Sequence, residues 1–287
     1  MKIANKVRGL PPSGIRKFFD LASSIPDVIS LGVGEPDFVT PWRVREASIY
    51  ALERGYTTYT SNWGLLELRE LIAKFMLDAC GVDYSPKSQV LVTTGVSEAI
   101  DLAIRAIVDP GDEVLVVEPS YVSYKPCVIM AGGRPVPVPA AADNDFRVTR
   151  EDLEARLTDR TVAVIMNYPN NPTGAIMTRQ DLEGIADLAV ERDLMVVSDE
   201  VYEKMTYGGK HVSIASFDGM RDNTVALNGF SKAFAMTGWR LGYACGNADV
   251  IEAMMKIHQY TMLCAPITAQ MAAIEALKNG QDDMRGM

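Results

Sequence analysis

A chain of 287 residues, 48% hydrophobic and 23% charged, can bury a large core and reads as one globular domain or one and a part. Its net charge of -9 argues against a nucleic-acid partner or an anionic membrane surface, and no stretch is apolar over the length a bilayer demands. The four cysteines, Cys80, Cys127, Cys245 and Cys264, form no C-x-x-C pair, so neither a zinc site nor a disulfide framework is expected; residues 1–10 lack the apolar run of a signal peptide, and a cytoplasmic location is expected.

The first 30 residues hold one amphipathic candidate, Ile15 to Ala22, bounded by Pro11-Pro12 and Pro26, which would end a helix. Ile29 to Phe38 reads as a short strand opening into a glycine turn, where Pro36 and the missing third glycine exclude a dinucleotide fingerprint. Thr40-Pro41 offers a hydroxyl cap and a proline at the first helical position, and Gly55 a stop, so a helix is expected between them. Tyr56 to Trp63 is an aromatic, polar loop. From Leu65, apolar residues recur at 65, 68, 71, 72, 75, 76 and 79, a helical period that Gly81 closes.

Beyond Val90 the pattern changes to short apolar runs: Val90 to Thr93, Val114 to Val117, Val136 to Val138, Val162 to Met166, Leu194 to Val197, Val225 to Leu227 and Leu241 to Ala244. Helix-like stretches lie between several of them, among them Ser97 to Val108, Tyr121 to Met130 and Arg179 to Glu191. The alternation predicts an α/β fold, a mostly parallel sheet with helices on both faces. Ligands of such sheets sit at the carboxyl ends of the strands. Polar residues collect there: Gly95-Val96-Ser97 after the first run, Tyr121 after the second, Asn167 to Gly174 after the fourth, Asp199 and Tyr202 after the fifth, Lys232 after the sixth. Ala253 to Ala276 reads as a packed helix pair, and the only histidines, His211 and His258, fit no catalytic or metal-ligand pattern and are read as structural or exposed.

Each rim residue has two readings. Gly95-Val96-Ser97 opens a helix whose free N–H groups and dipole favour a phosphate, or it is an ordinary helix start. Asn171 lies in a turn dense in proline and asparagine that is structural or presents an amide donor. Asp199, directly after an apolar strand, needs a cationic partner or caps a helix; Tyr121 stacks on a planar ring or packs in the core. Lys232 stands just past a buried run, where desolvation lowers the pKa of an ammonium and frees the amine for Schiff-base chemistry. A buried lysine paired with a carboxylate gives the same pattern. Arg240 can fork onto a phosphate beside that lysine or sit in a surface ion pair.

Ser231-Lys232-Ala233-Phe234-Ala235-Met236-Thr237-Gly238-Trp239-Arg240-Leu241-Gly242-Tyr243 resembles, nearly residue for residue, the pyridoxal-phosphate (PLP) lysine motif of class I/II aminotransferases. Gly34 to Phe38, Tyr59 with Gly64 to Arg69, Asn171 to Gly174 and Ser198 to Tyr202 follow the order of that fold type I family, and the resemblance is closest to its archaeal and bacterial aromatic-amino-acid and aspartate branch. The resemblance implies that Lys232 carries PLP as a Schiff base and shuttles the proton, that Asp199 protonates the ring nitrogen, and that Asn171 and Tyr202 face the ring oxygen. It implies that Tyr121 stacks on the ring, that Gly95, Val96, Ser97, Ser231 and Arg240 hold the phosphate, and that Gly34 and Asn171 approach the substrate. Tyr59 resembles the tyrosine that reaches the phosphate of a neighbouring subunit, which implies a homodimer.

The implied reaction moves an amino group from an L-amino acid to a 2-oxo acid such as 2-oxoglutarate; Trp63, Phe18 and Phe19 favour an aromatic or other bulky substrate. Aspartate transamination, PLP-dependent β-elimination and a non-catalytic aminotransferase-like domain are the alternatives. Two departures stand out. Gly229 occupies a position where many relatives carry a phosphate-binding serine or threonine. The chain also stops at Met287, before the segment in which relatives complete a small domain and carry the arginine for the substrate carboxylate. Residues 1–40 are therefore expected to form an N-terminal arm and part of the small domain, and 41–287 a PLP-binding large domain ending in the interdomain helix. The C-terminal small domain is expected to be absent, and such a truncated chain to bind cofactor but transaminate poorly.

Overall fold

The computed structural model describes residues 2–10, 21, 24–25, 27–29 and 34–287. The helix expected over Ile15 to Ala22, Leu21 apart, lies outside the described residues, as do Phe18, Phe19 and residues 30–33 of the expected first strand.

All seven apolar runs become strands of one sheet. These are β1 (Val90–Thr93), β2 (Glu113–Glu118), β3 (Arg134–Pro139), β4 (Thr161–Asn167), β5 (Met195–Asp199), β6 (Thr224–Gly229) and β7 (Gly242–Cys245), in the order β1-β7-β6-β5-β4-β2-β3. The pairs from β3 through β2, β4 and β5 to β6 are parallel, and β7 runs antiparallel between β6 and β1. The fold is the expected α/β arrangement, mostly parallel with helices on both faces.

The strands read as near-continuous apolar runs because alternate side chains enter two different cores. On one face Leu91, Val116, Ile165, Val197 and Leu227 pack with the helices Val96–Ile107, Tyr124–Ala131 and Ala248–Thr261. On the other, Val92, Ala226 and Tyr243 meet Leu66–Cys80 and Ile267–Asn279, while Val117, Val164 and Val196 meet Arg179–Glu191. Each fully buried Val, Leu or Ile contributes about 1.5–3 kcal/mol relative to exposure. Pro135, Pro137 and Pro139 recur at every second position of β3, which pairs only with β2. Their missing N–H groups all fall on the open side of this edge strand, which also blocks further pairing.

Three local expectations need correction. The first helix is Trp42–Glu53, with Pro41 just outside it and no side-chain cap. The Thr40 hydroxyl instead donates to the Ala235 carbonyl (2.5 Å) and accepts from Trp239 Nε1 (3.0 Å), because a buried hydroxyl beside the lysine loop finds stronger partners there. The helix expected from Tyr121 begins at Tyr124; Tyr121 lies in the preceding turn, its carbonyl accepting the Tyr124 N–H at 3.3 Å. By contrast, Leu66–Cys80 ends on Gly81 at φ 73, as its period predicts.

Gly242 lies against the start of the helix Val96–Ile107: a Cβ there would stand 2.6 Å from the Val96 nitrogen and 2.7 Å from the Gly95 carbonyl carbon. Gly242→Ala is expected to lower unfolding free energy by about 1–3 kcal/mol, measured by denaturant titration, because backbone rather than a flexible side chain must give way.

Candidate active site

The parallel strands β4 and β5 end at one level, at Asn167 and Asp199, with Leu227 of β6 opposite them in register and β6 running two residues further. Asn167 is 2% exposed; its amide nitrogen donates to the Asp199 carbonyl and its amide oxygen accepts the Asn171 N–H, both at 2.8 Å. This fixes the proline-rich turn so that Asn171 Nδ2 faces the Tyr202 hydroxyl at 3.4 Å. Tyr202 follows β5 by three residues, and its ring centroid lies 5.5 Å from Lys232 Nζ. Lys232, three residues past β6, donates to the carbonyl of Gly34.

Asp199 points to the face of the sheet that carries Tyr124. The Tyr124 hydroxyl donates to Asp199 Oδ2 at 2.8 Å and the Val201 N–H to Oδ1 at 3.2 Å. Both of these donors are neutral. They do not fully compensate, and burial pushes the carboxyl up to about 6. Burial likewise lowers the pKa of the half-buried Lys232, aided by Arg240 and opposed by Glu35 and Asp199. For Tyr202 burial and the Asp199 charge raise the pKa, against the Asn171 hydrogen bond.

The other end of the site is positive. Gly95, at φ 80, precedes the helix Val96–Ile107, whose first-turn N–H groups have no partner within the helix. A Cβ on Gly95 would stand 2.7 Å from Arg240 Nη2, so only glycine lets the guanidinium settle on this helix end. Arg240 is held there in a left-handed conformation (φ 53) with Nη1 on the Thr237 carbonyl at 2.9 Å. Gly229 is similarly confined: a Cβ would lie 3.0 Å from Val96 Cγ2 and 3.1 Å from Gly242 Cα, which leaves little room for the serine or threonine of other sequences.

Gly34, Asn171, Asp199, Tyr202 and Lys232 thus share one rim, with Gly95, Val96 and Arg240 at its positive end. Tyr121 borders it, 5.7 Å from the Tyr124 ring and edge-on to it. Ser97 is exposed in the first helical turn and Ser231 is half-buried at the start of the lysine loop. Tyr59 does not join the cluster: it is 81% exposed on a surface loop. That loop and Trp63 are organised by Gln270, which is fully buried, donates to Thr60 and the Ala265 carbonyl, and accepts the Leu65 N–H.

Sequence reading set Asn167 on the rim without a role and missed Tyr124 and Gln270; of its two alternatives for the histidines, structural or exposed, the structure takes the structural one. Neither histidine is exposed: His211 Nε2 meets Glu200 at 2.9 Å and the fully buried His258 meets Glu98 through Nδ1 at 2.7 Å. His258 is drawn in by a carboxylate 160 positions away, His211 by one 11 positions back. Tyr124 carried a signal in its position one turn beyond Tyr121, and Asn167 in being a polar strand terminus.

This sheet with its polar rim defines a class: the chain belongs to the class I and II aminotransferase family, whose pattern, described as "Aminotransferase class I and II", matches residues 26–287, and whose members are enzymes that use PLP. The putative aminotransferase YugH of Bacillus subtilis is 51% identical over 285 residues, 99% of this chain and 74% of that protein. Aromatic-amino-acid aminotransferase 2 of Thermococcus litoralis is 47% identical over 97% of this chain and 72% of its own length. The solved structure of aspartate aminotransferase from Thermus thermophilus with maleate matches with a TM-score of 0.94 and 40% identity, covering 100% of this chain and 75% of that one.

The Asp199 carboxyl gives a pH signature. Its pKa is raised from 3.8 to about 6, so its contribution to stability is full below the unfolded value and lost as pH rises through about 6. Without cofactor, unfolding free energy should fall by about 3 kcal/mol more in the wild type than in Asp199→Asn between about pH 4 and pH 8. Tyr124→Phe, which removes a donor to the ionised form, should move that loss to higher pH. Parallel denaturant titrations across pH check both.

Proposed function

We propose that this aminotransferase works through PLP, moving the amino group of an aromatic or other bulky L-amino acid to a 2-oxo acid such as 2-oxoglutarate. The observation that carries the reading is a buried carboxylate at Asp199 and a half-buried amine at Lys232 on one strand rim, with a positive cradle at Gly95 and Arg240. The donor set fits the cofactor. A carboxyl raised by burial matches a cationic ring nitrogen, the helix end and guanidinium match a phosphate, and the lowered amine matches a carbonyl carbon.

When bound, PLP supplies an electron sink for the substrate α-carbon. Asp199, oriented by Tyr124 and Val201, would keep the ring nitrogen protonated, and Asn171 and Tyr202 would donate to the ring oxygen. Tyr121 would pack against the ring, while Gly95, Val96, Ser97, Ser231 and Arg240 would hold the phosphate. With PLP bound, Lys232 would be the group placed to take a proton from the substrate α-carbon. Gly34 and Asn171 orient the substrate.

Support for a bulky substrate comes from Trp63, which borders the same apolar cluster as Tyr121 and Tyr202, and from the aromatic aminotransferase relative. The Thermus neighbour favours aspartate as the second reading. We infer a homodimer from the exposed Tyr59 loop: Asn62 and Gln270 tie it to Leu263 and Ala265, beside the 86% exposed Tyr260. Residues 1–40 would serve as an arm with part of a small domain and 41–287 as the large domain, in a cytoplasmic enzyme. No helix among the described residues is long and apolar enough to cross a membrane.

The test is the visible absorbance of the purified chain mixed with PLP, before and after phenylalanine or aspartate. A band that disappears in Lys232→Ala and fades faster with phenylalanine supports the proposal; a band indifferent to Lys232 refutes it. Faster fading with aspartate transfers the substrate reading to dicarboxylates.

A further inference from the structure

Directly beside Asp199 stands a second carboxylate for which the mechanism has no use. Glu200 is 1% exposed and turns to the opposite face of the sheet. Its Oε1 accepts from Ser198 Oγ at 2.9 Å and Ser213 Oγ at 2.7 Å, and its Oε2 meets His211 Nε2 at 2.9 Å. A buried carboxylate with one bond would be costly, and removal of its partners would leave an uncompensated charge. Three donors from two separate stretches of chain make it a clasp.

The clasp closes a specific excursion. Ser198 lies in β5 and Glu200 directly follows it, whereas His211 and Ser213 come from the returning chain. Between them lies Tyr202, followed by the short helical turn Glu203–Met205 and the tip at Tyr207, which is 91% exposed. The Glu200 N–H donates to the Leu227 carbonyl at 2.8 Å, anchoring the same residue to the strand that leads to Lys232. Its carbonyl accepts the Glu203 N–H at 3.0 Å, and the Tyr202 carbonyl accepts that of Met205 at 2.8 Å, so the Tyr202 turn is built on Glu200.

We propose that the buried Glu200–His211 pair, braced by Ser198 and Ser213, is a positioning device for Tyr202, fixing its hydroxyl toward Asn171 and its ring toward Lys232 from behind the sheet. The proposal rests on the reading that Tyr202 serves the cofactor's ring oxygen. Burial lowers the pKa of His211, but the hydrogen bond to Glu200 and the charges of Glu200 and Glu203 outweigh it, with Lys204 opposing, so the imidazole is held charged above its ordinary range. The clasp therefore weakens as pH rises through the raised value of His211.

His211→Leu removes the donor, and His211→Gln keeps an amide in the place of Nε2. With PLP bound, His211→Leu is expected to shift the pH midpoint of the visible band by about half a unit in the direction of Tyr202→Phe, and His211→Gln to restore it. The double variant His211→Leu/Tyr202→Phe should shift no further than Tyr202→Phe alone, because both act through one hydroxyl. Additive shifts, or a His211→Leu midpoint equal to the wild type, overturn the proposal.

Without cofactor, a nuclear Overhauser contact between the Tyr202 ring and the Asn171 side-chain amide should be lost in His211→Leu and kept in His211→Gln. Its survival in His211→Leu also overturns the pair. A wild type with no Lys232-dependent band, or a Tyr202→Phe midpoint equal to the wild type, defeats the cofactor reading instead and leaves the Overhauser test to decide the clasp. Should His211→Leu fail to fold, Ser213→Ala, which removes one donor, takes its place in the same comparisons.

Discussion

The common level at which β4 and β5 end, beside Leu227 of the longer β6, is the constraint on which the rest of the site depends. Parallel strands in register bring Asn167, Asp199 and Leu227 side by side, and where β4 and β5 stop, the backbone groups need partners beyond the ladder. Two of the three positions answer this with hydrogen bonds that also build the site. Asn167 binds the Asp199 carbonyl and the Asn171 N–H, while the Leu227 carbonyl accepts the Glu200 N–H. A register slip of one residue would reverse the faces of Ser198, Asp199 and Glu200 together.

Alternation along β5 divides the polar work between the two faces. Asp199 lies with Tyr124 and the helix Tyr124–Ala131, where little compensates its charge. Ser198 and Glu200 turn the other way, toward His211 and Ser213, where a carboxylate gains three donors. One carboxylate is thus left under-compensated and ready for a cation, and its neighbour is fully bound and structural. Adjacent residues of the same charge type acquire opposite roles because strand geometry gives them different surroundings.

Much of this was legible in the sequence. The seven strands followed from apolar runs, and the rim residues from their places just past those runs. Residues that lie after successive parallel strands must converge, so Asp199, Tyr202 and Lys232 could be grouped without contacts. What stayed hidden were partners fixed by tertiary approach. Tyr124 reaches Asp199 across 75 positions and His258 reaches Glu98 across 160, and no local pattern encodes either distance. Thr40 misled for a related reason: its hydroxyl has the right chemistry for a cap, but the lysine loop offers it a buried carbonyl and an indole N–H. Tertiary partners override local propensity when they are buried and the local alternative is wet.

Those Thr40 bonds belong to a wider attachment of Gly34 to Thr40 along the lysine loop. Thr237 donates to Glu35 at 2.8 Å, Thr40 spans the Ala235 carbonyl and Trp239, and Lys232 itself donates to Gly34. Three of these contacts use groups other than the lysine amine. The fourth uses the amine itself, so covalent engagement of Lys232 removes one anchor and leaves the others holding. Gly34 would then be retained beside the site with a free carbonyl, which is the condition for its backbone to meet a substrate there.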